Sequence, residues 1–128
     1  MKSKILWGIV AVAGLALVGQ QLQASQGVDV KQAQSMNQQG ALLLDVREPA
    51  EYAAIHAPNA KLMPLGEVGL RVKELEAWKD KPVAVICRSG RRSAQAVAIL
   101  REAGFTQVVN VQGGTNAWVQ AGLEVIKQ

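Results

Sequence analysis

Apolar residues fall along this chain in short runs, separated by segments whose apolar positions recur at helical spacing. The runs at 41–46, 83–86 and 107–111 read as buried strands. Between them the pattern predicts helices. One covers 31–39 and ends at Gly40. A short one covers 48–54, with Pro49 in its first turn. A third covers 67–78, with Val68, Val72, Leu75 and Trp78 near one face. The fourth runs over 93–103 and closes at Gly104. The last runs over 115–120, opened by Gly113-Gly114 and stopped by Gly122. Residues 28–30 read as a short edge strand. The stretch 55–64 is irregular, with Pro58 and Pro64, and within it Lys61-Leu62 pairs as a strand. Strands and helices thus alternate, which implies an α/β domain with a mainly parallel sheet covered on both faces. In such sheets ligands bind beyond the carboxyl ends of the strands. Asp45, Cys87 and Gln112 lie at such ends.

The first residues follow a different pattern. Met1-Lys2-Ser3-Lys4 is a short basic head, 5–19 is uncharged and almost wholly apolar, and 20–25 is polar and ends in small residues. That order is the layout of a secretory signal. Fifteen apolar residues are short for a spanning helix, which needs about 20. The expectation is an apolar leader helix over 1–24, either cleaved after Ala24 or kept as an anchor, ahead of one domain over 27–126. Leu22 stands where a small residue is preferred for cleavage, so both fates stay open. Either way the domain is expected in the periplasm, free or anchored to the inner membrane, with the basic head inside. The only membrane contact expected is through that segment, if it is retained.

Charge adds little beyond this. The chain has 128 residues and a formal charge of +4; Lys2 and Lys4 carry two of these charges, which leaves +2 for the rest. Such a balance argues against a nucleic-acid partner. The basic character is local instead, at Arg88, Arg91 and Arg92.

Those arginines surround the one cysteine, in Cys87-Arg88-Ser89-Gly90-Arg91-Arg92-Ser93. The loop joins the end of a strand to the start of a helix, where free N–H groups and the helix dipole favour negative charge. A thiol there ionises more readily than a free one, and the thiolate is the nucleophile. The loop can also hold a small anion. A single cysteine cannot form an internal disulfide. One cysteine and one histidine are too few for a metal site, and no nucleotide-type glycine loop is present, so neither metal nor cofactor is expected. His56 reads as a structural residue at a turn, Asp45 and Arg47 as an ion pair beside the site, and Trp78 and Trp118 as core.

Four segments together resemble the single-domain rhodanese family of sulfurtransferases: Asp45-Val46-Arg47-Glu48-Pro49-Ala50-Glu51-Tyr52, Ile55-His56-Ala57-Pro58-Asn59-Ala60, the Cys87–Ser93 loop, and Gly113-Gly114-Thr115-Asn116-Ala117-Trp118 followed by Ala121-Gly122-Leu123. The leader resembles that of the family's periplasmic branch. The resemblance implies a three-layer α/β/α domain with a five-stranded sheet. It implies that Cys87 takes a sulfane sulfur from a small anionic donor such as thiosulfate, holds it as a persulfide, and passes it to cyanide or a thiol. The loop amides from Arg88 through Ser89, Gly90, Arg91 and Arg92 to Ser93 would then hold the sulfur's charge. From position alone, Arg88 and Arg91 are expected to point outward toward the donor and Arg92 to fold back and brace the loop, while Asp45 and Arg47 pair near the site or, through Arg47, help bind the donor. The chain departs from the family pattern at Ile55 and Asn59, where glycines are usual, and at Thr115, where a larger apolar residue is frequent. Alternatives are a dedicated persulfide carrier or docking module, and a phosphatase or arsenate reductase. The last two want an arginine at the position of Ser93. Oligomeric state is not legible.

Overall fold

A computed structural model describes residues 27–128. The leader expected over 1–24 lies outside the described residues. The elements in order are α1 (Val30–Gln38), β1 (Leu42–Asp45), α2 (Pro49–Ala54), β2 (Ile55–His56), β3 (Lys61–Leu62), α3 (Leu65–Val68), a 3-10 helix (Val72–Trp78), β4 (Val83–Ile86), α4 (Arg91–Glu102), β5 (Val108–Asn110), α5 (Gly114–Gln120) and β6 (Ile126–Lys127).

The main sheet is parallel, in the order β3-β1-β4-β5. Alternation along its strands divides the core in two. Leu42, Leu44, Val83 and Val85 join the cluster beneath α3, the 3-10 helix and α4, with Leu75, Val97 and Leu100. Leu43, Ala84 and Ile86 turn the other way, against Val30 and Ala33 of α1 and Trp118 of α5. Both faces are buried, so the strands read as continuous apolar runs. The α/β class and the three layers expected from the pattern are present.

Four expectations need correction. The fifth strand is reduced to one parallel bridge between Val28 and Val111, so the sheet has four full strands. The helix expected over 67–78 is two pieces, α3 and the 3-10 helix, separated by Gly69, Leu70 and Arg71. Val72, Leu75 and Trp78 are spaced by three, which suits the 3.0-residue turn of a 3-10 helix better than an α-helix. Helix α4 begins at Arg91, two residues early, because Gly90 at φ 107° turns the chain directly into it. β6 was not expected at all; it pairs antiparallel with β2 in a separate two-stranded ribbon.

The segment after α2 is held without the family's usual glycines. Asn59 takes φ 63°, a left-handed conformation that asparagine accepts more readily than most residues. Around it, Asn37 donates its side-chain N–H to the Pro58 carbonyl at 2.7 Å, and Tyr52 donates its hydroxyl to the Ala60 carbonyl at 2.6 Å. His56 stacks on Tyr52 with ring centres 3.8 Å apart, and its Nδ1 lies 2.7 Å from the Tyr52 carbonyl. His56 is therefore part of the scaffold, as expected, and Trp118 is core at 1 % exposure.

Candidate active site

Strand register brings Asp45, Ile86 and, one strand further, Asn110 to the same edge of the sheet. Cys87 follows Ile86 directly, so its side chain enters the site from the central strand pair. Cys87 is 1 % exposed. Burial alone would push its thiol up, because it disfavours the anion. The Ser93 hydroxyl and the backbone N–H groups of Ser93, Gly90 and Ser89 outweigh that, and the thiol lies below its ordinary value. The Gly90 N–H donates to Sγ at 3.0 Å, and the Ser93 hydroxyl stands 3.2 Å from it.

The loop can aim N–H groups at the sulfur because its carbonyls are bound on the other side. The Cys87 carbonyl accepts from the Thr115 N–H at 2.8 Å and from the Thr115 hydroxyl at 3.1 Å. The Arg88 carbonyl accepts from the Asn116 N–H at 3.1 Å. The first turn of α5 thus caps the loop from outside. Gly114 permits that approach: it sits at φ 57°, and a Cβ there would lie 2.6 Å from the Arg88 carbonyl carbon and oxygen. The departure at Thr115 has a purpose in this chain, since its hydroxyl adds a second donor to the Cys87 carbonyl.

The arginines take different roles. Arg92 turns back and binds Glu51 of α2 through two contacts, at 2.7 and 2.9 Å. This bidentate pair holds the Glu51 carboxyl down at about 2, against the effect of burial. It braces the start of α4, as the sequence suggested for Arg92. Arg88 and Arg91 are exposed, and neither pairs with a carboxylate among the described residues. Ser89 is exposed and Ser93 is fully buried. Arg47 is 3 % exposed and locked in place: its Nη2 donates to Asp45 Oδ2 at 2.8 Å and to the Ile55 carbonyl at 2.7 Å. Asp45 and Arg47 therefore tie β1 to the end of α2, the structural ion pair that was expected. Gln112, at the end of the run that contains β5, donates its N–H to the Val28 carbonyl at 2.8 Å.

An open groove of about 510 Å³ lies beside the loop, its lining including Ala54, Ile55, Arg88, Asn116 and Val119. Sequence reasoning missed three participants: Glu51, Asn110 and Thr115. The signal for Asn110 was available, because it is the one polar residue inside the run Val108-Val109-Asn110-Val111.

The fold and site define a parallel α/β domain that presents one cysteine, its thiol lowered by a hydroxyl and loop amides, at the carboxyl end of its sheet. The chain belongs to the rhodanese-like domain family, whose pattern it matches over residues 29–121. It is 41 % identical over 85 residues to a sulfurtransferase of Allochromatium vinosum, covering 66 % of this chain and 78 % of that one. It is 35 % identical over 88 residues to the thiosulfate sulfurtransferase GlpE of Pseudomonas syringae, covering 69 % and 81 %. A rhodanese-related protein from Thermoplasma volcanium superposes with a TM-score of 0.72 at 34 % identity, covering 80 % of this chain and 99 % of that one.

Two predictions test the construction of the site. Gly114→Ala should reduce thiol reactivity at least tenfold and destabilise the fold by about 2 kcal/mol or more, because it adds a left-handed alanine and a clash with Arg88; alkylation rates and urea unfolding read both. The Arg92–Glu51 pair, about two-thirds buried, should contribute up to about 1 kcal/mol. Since the Glu51 carboxyl is depressed in the fold, that contribution is full above the ordinary carboxylate range and fades as pH falls towards about 2. The urea midpoints of wild type and Arg92→Ala should therefore differ at neutral pH and converge in acid.

Proposed function

We propose that the protein moves sulfane sulfur from thiosulfate, or a similar small anion, to a nucleophilic acceptor through a persulfide on Cys87. The reading is carried by one observation: a buried Sγ held by the Gly90 N–H at 3.0 Å and faced by the Ser93 hydroxyl at 3.2 Å, with its thiol lowered. The Cys87 thiolate attacks the outer sulfur of thiosulfate. A new S–S bond forms, the S–S bond of the donor breaks, and its electron pair leaves with sulfite. Cyanide then attacks the outer persulfide sulfur and leaves as thiocyanate, or a thiolate attacks and leaves as a persulfide. In both cases Cys87 is released as the thiolate. No net proton transfer to the sulfur is required, so the site needs donors to an anion and no general base. Arg88 and Arg91, exposed and unpaired, attract the anionic donor, while Arg92 and Arg47 are held by carboxylates and shape the site.

Incubation with thiosulfate followed by mass spectrometry should show one added sulfur on the chain. Cyanide should remove it, and Cys87→Ser should never acquire it. Equal labelling of the variant, or no labelling of wild type, would overturn the reading. Replacing both Arg88 and Arg91 with alanine should raise KM for thiosulfate about tenfold with a smaller change in kcat, and should flatten the dependence of rate on salt. Unchanged kinetics would exclude these side chains from donor capture.

A further inference from the structure

The Ser93 hydroxyl has one hydrogen and stands between two acceptors. Cys87 Sγ is 3.2 Å from it and Asn110 Oδ1 is 2.5 Å from it. It cannot serve both fully. The orientation of the Asn110 amide follows from its other end, where Nδ2 donates to the Gly90 carbonyl at 3.1 Å. A flipped amide would set oxygen against oxygen there, so Oδ1 is the atom that faces Ser93. Asn110 closes β5 and is paired in register with Val85, two residues before Cys87. It therefore reaches the loop from a rigid strand.

Two arrangements follow. When Cys87 is a neutral thiol, its S–H donates to Ser93 Oγ and the Ser93 hydroxyl donates to Asn110. When the thiol has lost its proton to solvent, the hydroxyl turns its hydrogen to the sulfur and Asn110 Oδ1 loses its donor. We propose that Asn110 is a positioning residue of the sulfur site: it holds the Ser93 hydrogen while Cys87 is neutral and yields it when the sulfur carries charge. The amide thereby limits how strongly the anion is held. That limit has chemical value, because a thiolate's intrinsic nucleophilicity falls as its thiol becomes more acidic. A site with every donor permanently fixed on the sulfur would hold an abundant but sluggish anion.

The charged groups around the sulfur are the same in both arrangements. They are Arg88 and Arg91 on the loop and its helix, Arg92 with its partner Glu51, and Asp45 with its partner Arg47. Asn110 is the contribution of β5 and carries no charge, so its effect is separable from theirs.

The inference rests on Cys87 being the reacting sulfur. Its test reads the thiol and not sulfur transfer, so either can fail while the other stands. The chain has one cysteine, so the pH dependence of its alkylation by iodoacetamide, followed by mass spectrometry on the 128-residue chain, gives a single midpoint. Four proteins are compared: wild type, Ser93→Ala, Asn110→Ala and the double variant. Both backgrounds lose the Asn110–Gly90 contact when Asn110 is replaced, but only the background that keeps Ser93 has a hydroxyl to set free. The midpoint change caused by Asn110→Ala should therefore be more downward when Ser93 is present than in the Ser93→Ala background, by about half a pH unit or more. Equal changes in the two backgrounds would overturn the proposal, as would a more upward change when Ser93 is present. If alanine at position 110 does not fold, Asn110→Val, a better strand residue, is read in the same way. The wild type supplies a check that needs no replacement at position 110. Its Asn110 side-chain amide NMR signal should shift with the thiol midpoint, and in Ser93→Ala it should stay flat; a signal indifferent to the thiol in wild type would also overturn the proposal.

Discussion

A peptide group has two ends, and the loop from Cys87 to Gly90 can turn its N–H ends toward the sulfur only if its C=O ends are satisfied elsewhere. The first turn of α5 does this, with Thr115 and Asn116 donating to the carbonyls of Cys87 and Arg88. Gly114 is needed because that turn comes closer to the loop than any Cβ allows, while a Cβ at Gly113 would meet Ala117 of the same helix. The sheet positions both partners: β4 delivers the loop and β5, its parallel neighbour, delivers the turn. An unpaired buried carbonyl costs about 1–3 kcal/mol, so without α5 the loop would have reason to flip these peptides and lose the sulfur's donors. Thiol chemistry and the docking of α5 are in this sense one interaction.

The layered arrangement was legible because its strands are continuous apolar runs and its helices are bounded by glycine. The thiol loop was legible because Cys87 is followed at once by charge and glycine, which a core cysteine would not be. What escaped was non-local or short. The ribbon of β2 with β6 joins residues some 70 positions apart, and two-residue strands leave no periodicity. Glu51 looked like one more acidic residue on a short helix; its role follows from Arg92, 41 positions away, coming within 2.7 Å. The division among the arginines was partly legible from position alone, but the partners that enforce it were not. Asn110 was visible as a polar interruption in a strand, yet nothing in the sequence says which loop lies opposite.

The division of charge has its own logic. Arg47 is buried and Arg92 is partly buried within the field of Cys87, and both are bound to carboxylates that offset their charge. A free guanidinium buried beside the thiol would carry a desolvation penalty of several kcal/mol and would also hold the anion too tightly. The unpaired arginines, Arg88 and Arg91, are exposed, where hydration keeps them inexpensive and where their field still reaches an approaching anion over roughly a Debye length of 8–10 Å. In the proposed function attraction falls at the entrance and stabilisation at the sulfur. The two are supplied by different chemical groups, guanidinium outside and peptide N–H within.

Burial of Cys87 bears on selectivity as well as on charge. At 1 % exposure Cys87 is poorly placed to attack a bulky disulfide partner, and the described chain offers no second cysteine to resolve a mixed disulfide. In the proposed persulfide the electrophilic atom stands one bond further out than Sγ, so acceptors meet the transferable sulfur first. In that reading, attack on the outer sulfur releases a thiolate that the Gly90 N–H is already placed to receive. Since the leaving group that is better stabilised leaves faster, the amides that lower the thiol would, in the proposed mechanism, also favour displacement at the outer atom.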